Sequence, residues 1–124
     1  KNKLQSDTIL KQSFMIEIPI KPLSINQAWR GRRFKTKEYT QYEHDLFYLL
    51  PKLKVPHGKL QLKLQFGFSS RMSDIDNGIK SFIDVLQKKY LFNDKFIYKI
   101  HVEKFDVEKG EEFIAFDIQT YLQG

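Results

Sequence analysis

From Leu60 to Phe68 the chain alternates without a break, with Leu60, Leu62, Leu64, Phe66 and Phe68 set against Gln61, Lys63, Gln65 and Gly67. Extended backbone sends successive side chains to opposite faces, so this pattern describes a strand with one buried face. A sheet with one apolar face needs a cover, and the flanking sequence supplies two helices for it. Upstream, Thr36 can cap a helix running to about Leu50. Its stripe is Tyr39, Tyr42, Leu46, Leu49 and Leu50, and Pro51 stops it. Pro51 to Gly58 reads as a connection. Downstream, Ile79, Phe82, Ile83, Leu86 and Tyr90 recur at helical spacing and mark a second helix facing the core.

Three further stretches complete the sheet. Phe14, Ile16, Ile18 and Ile20 alternate with Met15, Glu17, Pro19 and Lys21, a half-buried strand that Pro19 and Pro22 assign to an edge or bring to an early end. Ile97–Phe105 and Phe113–Tyr121 are two more β runs, separated by Val107–Glu112 with Gly110 at the turn. They read as an antiparallel hairpin, with Ile114, Phe116 and Ile118 facing the helices. The order β-α-β-α-β-β predicts an α+β fold, a mixed and largely antiparallel sheet with two main helices packed on it. The 124 residues suffice for one domain, and 15% aromatic content supports a packed core. Met15 reads as an original start, which makes 1–14 an N-terminal extension or expression remnant and 15–122 the domain; Gln123-Gly124 reads as a processing scar. The chain has no cysteine, which suits a reducing cytoplasm and excludes disulfides and thiolate zinc sites. No apolar run is long enough to span a membrane, and residues 1–14 lack the apolar region of a signal peptide.

The chemistry concentrates just past the alternating strand. Ser69-Ser70-Arg71-Met72 leads to Asp74 and Asp76, two carboxylates at i and i+2. On extended backbone both would point to one side, with Asp76 in the N-cap position of the second helix. Asp76, Lys80 and Asp84 are spaced by four and line a helical face of their own. Asn93-Asp94 closes the stretch. Hard cations such as Mg²⁺ take oxygen ligands of this kind, whereas the plainer reading of Asp-x-Asp is a helix cap plus a solvated acid. His44, His57 and His101 are isolated, and no pair has metal-ligand spacing. Lys21 to Lys37 carries six basic residues and no acidic one: Lys21, Arg30, Arg32, Arg33, Lys35 and Lys37. Trp29 and Phe34 interleave with them, and Gly31 breaks any regular pattern. Arginines on such a loop can grip phosphates while aromatics stack on an unpaired base; the plainer reading is a solvated loop whose Trp29 plugs the core. The net charge of +6 favours a polyanionic partner.

The pattern Asp74-Ile75-Asp76-Asn77, then Lys80, Asp84 and a late Phe92-x-Asp94 before a β run, resembles the RusA family of Holliday junction resolvases. The resemblance runs from about Pro22 to Ile118, and Asn26 with Trp29-Arg30 also resembles the family's N-terminal segment. It implies a metal-dependent structure-selective endodeoxyribonuclease that resolves Holliday junctions by paired phosphodiester cleavage in DNA recombination and repair. Carried over by position, Asp74, Asp76, Lys80 and Asp94 would be catalytic, with Asp74, Asp76 and Asp94 holding Mg²⁺, or Mn²⁺ in its place. Asp84 matches a recurrent acid of the helix. Arg30, Arg32, Arg33, Lys35 and Arg71 would contact DNA. The implied partners are a four-way branched DNA and a second copy in a homodimer. Two departures stand out. Asn93 replaces an acid that often precedes the late aspartate, and Ser73 stands where a basic residue or proline is common. Two other readings of the residues remain: a branched-DNA-binding module that has lost catalysis, and a structural dimer whose charges serve solubility.

Overall fold

The computed structural model describes residues 15–24, 29–30 and 34–123, and for residues 29, 30 and 34 the backbone alone. The elements follow in the order β1 (Ile16–Ile18), β2 (Trp29–Arg30), β3 (Phe34–Lys35), α1 (Lys37–Leu49), β4 (Leu60–Phe68), α2 (Ile79–Tyr90), a 3-10 turn (Asp94–Phe96), β5 (Ile97–Asp106) and β6 (Phe113–Thr120). β2 and β3 pair only with each other, as a short antiparallel ribbon. The other strands form one sheet in the order β1-β6-β4-β5. The α+β class and the order of the main elements are as expected. Residues 1–14, Phe14 among them, and Gly124 lie outside the described residues.

β4 is the strand foreseen from its alternation, and Leu60, Leu62, Leu64 and Phe66 are all almost completely buried. Both helices cover that face. α1 contributes Tyr39, Tyr42 and Leu46, α2 contributes Phe82, Ile83, Val85 and Leu86, and these join the sheet's apolar side chains in one core. Phe82 meets Phe66 and Phe116 edge-on, at 6.5 and 5.5 Å between ring centres. Thr36 caps α1 as expected, its hydroxyl accepting from the Tyr39 amide at 3.1 Å. Two buried hydroxyls sit between the helices. Ser81 donates to the Leu23 carbonyl, which pins the segment after β1 onto α2. The Tyr42 hydroxyl beside it has no hydrogen-bond partner of good geometry among the described residues, and burial pushes that phenol far up.

The expected hairpin is not there. β5 pairs parallel with β4, β6 pairs antiparallel with β4 on its other side, and β5 and β6 never touch as strands. The reason lies in α2. A strand–helix–strand crossover brings the chain back parallel to where it began, so β5 takes one edge of β4 and leaves β6 only the other. The residues between Asp106 and Phe113 must then span two strand spacings, roughly 9–10 Å, across the end of β4. Val107 donates to the Phe68 carbonyl at 2.9 Å during that crossing, and Gly110 turns the chain at φ +95°.

Gly67 makes the crossing compact. It lies opposite Phe105 on one side and Phe113 on the other. The Phe113 ring covers the glycine so closely that a Cβ there would stand 2.4 Å from two ring carbons. Across the gap the ring reaches Phe105, 6.1 Å between centres. Gly67→Ala should therefore destabilise the fold by about 1–3 kcal/mol, the usual range for overpacking a filled site. Denaturant titration of Gly67→Ala and of Gly67→Ala/Phe113→Leu checks the cause, because shrinking the ring should recover part of the loss.

Candidate active site

Past Phe68 the chain does not stay extended. Ser73 donates to the Ser70 carbonyl at 3.2 Å, Asn77 to Asp74 at 3.0 Å and Ile79 to Asp76 at 3.3 Å, a succession of tight turns. The N-cap of α2 is Gly78, without a side-chain cap bond, so the N-cap position expected for Asp76 is corrected. Packing explains the shift. A Cβ on residue 78 would come within 3.2 Å of Pro22 and 3.3 Å of the Phe66 ring, so the backbone enters the helix pressed against the core where only glycine fits without displacement. The two acids are consequently not side by side on a strand. They sit on a turn, exposed, with no ion pair to either carboxylate among the described residues.

α2 then carries the chain back across the sheet. An open hollow of about 380 Å³ forms between its first turns and the start of β5, lined by Asp76, Lys80 and Asp94 above Ile79, Ile83, Ile97 and Ile100. Lys80 donates to Asp84 at 3.0 Å. That bond raises the lysine above its ordinary range against the opposing effect of burial, and the charges of Asp84 and Asp94 add to it. The side chain is thus a full ammonium at neutral pH. Asp94 is held through its backbone, whose N–H donates to Gln87 Oε1 at 2.8 Å. Asn93 is occupied as the cap of the 3-10 turn, its amide oxygen accepting from the Lys95 N–H at 2.9 Å.

The structure thus brings Asp76, Lys80 and Asp94 to one hollow, with Asp84 beside them. Asp74 lies on the same turn as Asp76 but does not line the hollow. Among the described residues no three His, Asp or Glu side chains stand close enough together to hold a metal ion. The donor chemistry suits a hard cation all the same, because the expected ligands are exposed carboxylates without cationic partners of their own apart from the nearby Lys80.

Two residues of this region went unnoticed in the sequence. Gln87 positions Asp94, and nothing in its spacing marks it. Lys104 donates its ammonium to the Ser73 carbonyl at 2.6 Å, tying β5 to the residue just before Asp74. The signal for Lys104 was available: it sits opposite Phe66, on the core-facing side of β5, where a lysine is out of place unless its ammonium has a partner.

The basic candidates divide. Lys35 pairs with Glu43 at 3.1 Å and lies over the Tyr39 ring. Glu43 also takes Lys88; burial pushes its carboxyl up, but the two lysines outweigh this and hold it below the usual range. Arg71 is exposed beside the acid-bearing turn, with no ion pair among the described residues. Asn26, Gly31, Arg32 and Arg33, and the side chains of Trp29, Arg30 and Phe34, lie outside the described residues.

Residues 19–115 match the family model of endodeoxyribonuclease RusA. The chain belongs to the RusA family. A comparison with curated proteins found no match. The RusA match takes in β4, the acid-bearing turn, α2, β5 and the start of β6, so the hollow lies wholly inside it. Membership implies an endodeoxyribonuclease that binds branched DNA and resolves Holliday junctions, in a family whose nucleases depend in general on a divalent metal. No helix of the described residues is long and apolar enough to cross a membrane.

Lys104 gives this RusA-family chain a test independent of the acids. Lys104→Met removes the tie between β5 and Ser73, and junction cleavage should fall about ten- to a hundredfold, the scale of a small misplacement of reacting groups. Lys104→Arg, which keeps a donor, should recover much of it. Single-turnover rates beside thermal melts separate misplacement from unfolding.

Proposed function

We propose that residues 15–122 form one nuclease domain that works as a Mg²⁺-dependent, structure-selective endodeoxyribonuclease in DNA recombination and repair, acting in the cytoplasm as a homodimer. The observation that carries the site assignment is the shared hollow: Asp76, just before α2, and Asp94, just after it, line it together with Lys80. Asp74, Asp76 and Asp94 are the ligands for Mg²⁺, with Mn²⁺ as a substitute. When bound, the ion supplies charge neutralisation on the scissile phosphate and a more acidic water.

The chain's own residues do the rest. Lys80, held by Asp84, keeps a positive charge at the hollow's edge and offsets the negative charge that grows on the phosphoryl oxygens as the bond breaks. The isoleucines beneath it exclude water from one side and so strengthen the acid–ammonium electrostatics. Asp74, exposed on the turn that also carries Asp76, would be the third carboxylate to hold the ion. Arg71, exposed beside the acid-bearing turn, contacts the DNA backbone together with Arg30, Arg32, Arg33 and Lys35, Lys35 at the cost of its pair with Glu43. A dimer supplies two sites related by a two-fold axis, which suits paired nicks across a four-way junction.

The test is cleavage of a mobile four-way junction and of a linear duplex, with and without Mg²⁺. Asp74→Asn and Asp76→Asn should each abolish cleavage with junction binding retained or tightened, since each removes a ligand charge and some phosphate repulsion. Near wild-type cutting by either variant refutes the metal assignment; binding without cleavage by the wild-type chain would instead mark a module that has lost catalysis. Asp94→Ala should raise the metal concentration for half-maximal rate and regain activity in Mn²⁺, whereas Lys80→Ala should slow the chemical step at unchanged metal dependence.

A further inference from the structure

β5 is the outer strand of the sheet, ten residues long, and its free side makes no backbone hydrogen bond to any described residue. Its apolar side chains are partly bare: Tyr98 is 56% exposed and Ile100 41%. A long edge of this kind invites another strand unless lysines or prolines guard it. Lys104 does not guard it, being tied to Ser73. Lys99 and Glu103 remain, both on the open face of the sheet, opposite Gln61 and Gln65 of β4. Neither has an ion pair among the described residues. On one strand at i and i+4 they lie roughly 13 Å apart, too far to reach each other.

We propose that a second copy of this chain pairs with β5 in antiparallel register centred on His101, joining the two sheets into one. The proposal rests on the homodimer reading above and names the surface that reading leaves open. The strand reads as a charge palindrome about His101. In that register Lys99 meets Glu103 of the second copy, and Glu103 meets its Lys99, while on the helix side Ile100 meets Val102 of the second copy in both directions. Both charged pairings join opposite signs and both central helix-side pairings join apolar with apolar, the combinations that stabilise cross-strand neighbours, while Tyr98 meets Lys104 of the second copy at the margin. Neighbouring centres fail. A centre at Ile100 sets Lys99 against His101 and Ile97 against Glu103, and a centre at Val102 sets Lys99 against Phe105, so both lose the two Lys99–Glu103 pairs. Paired residues of like parity keep both sets of helices on one side of the joined sheet. Ile100 also lines the hollow with Asp76, Lys80 and Asp94, so the two hollows flank the dyad on that side. The contact is isologous and closes at two copies.

The chain has no cysteine, which makes the test clean. Residues directly opposite on antiparallel strands have Cα atoms about 4.5–5.5 Å apart, within disulfide range, so His101→Cys alone should form a covalent dimer on mild oxidation. By sedimentation equilibrium, Lys99→Glu should weaken the dimer about tenfold or more, because the symmetric contact turns two attractions into two repulsions. Lys99→Glu/Glu103→Lys should restore it, which also shows that the single variant had not simply unfolded. A dimer that neither cross-links through residue 101 nor responds to Lys99→Glu would overturn this surface and leave the homodimer reading standing. A wild-type chain that stays monomeric at high micromolar concentration would overturn both.

Discussion

Everything in this structure hangs on β4 having both edges taken. Its apolar face alone could have been buried by any two helices, but its hydrogen-bonding edges admit one neighbour each. α2 commits the first edge, because a chain that leaves β4 through a helix returns parallel to it as β5. That same return lays α2 across the sheet and delivers Asp94 to the side of Lys80. The hollow is therefore a by-product of the crossover. The second edge goes to β6, which in turn holds β1, and the chain can reach it only by passing over the end of β4, where Gly67 leaves room for the Phe113 ring.

This hierarchy explains what could be read in the sequence. Periodicity is local, so Leu60–Phe68, both helical stripes and the β runs after Asp94 were legible, and so was the cap at Thr36. Adjacency is not local. Gly110 is a true turn signal, yet a turn between two β runs does not say whether they lie side by side or straddle a third strand, and here β4 comes between them. The N-cap was lost to a similar competition. Asp76 has the better capping side chain, but position 78 is pressed between Pro22 and Phe66, and the packing of a glycine there decided where the helix begins.

For the site, the residue types were legible and their spatial relation was only partly so. The Lys80–Asp84 bond follows from i,i+4 spacing, whereas Asp76 lies on the turn before α2 and reaches the hollow from there and not from a shared helical face. The arrival of Asp94 at the same hollow depends on the length and direction of α2, which no motif states. Asn93, seen in the sequence only as a missing acid, has a structural use as the cap of the turn that presents Asp94.

The distribution of polar bonds separates scaffold from site. Acids that serve the fold are consumed: Glu43 holds two lysines, and Glu112 accepts from Ser69 and from the Gly110 N–H to brace the crossing over β4. The candidate ligands are treated the other way. Lys104 grips the carbonyl of Ser73, and Gln87 grips the N–H of Asp94, so main-chain atoms are fastened beside Asp74 and at Asp94 while the carboxylates have no ion pair among the described residues. A carboxylate already bonded to a lysine would have to break that bond before binding a cation, at a cost of the order of 1–3 kcal/mol. Holding the backbone and leaving the oxygens free avoids that cost, and it places the acids by contacts that a metal or a phosphate would not disturb.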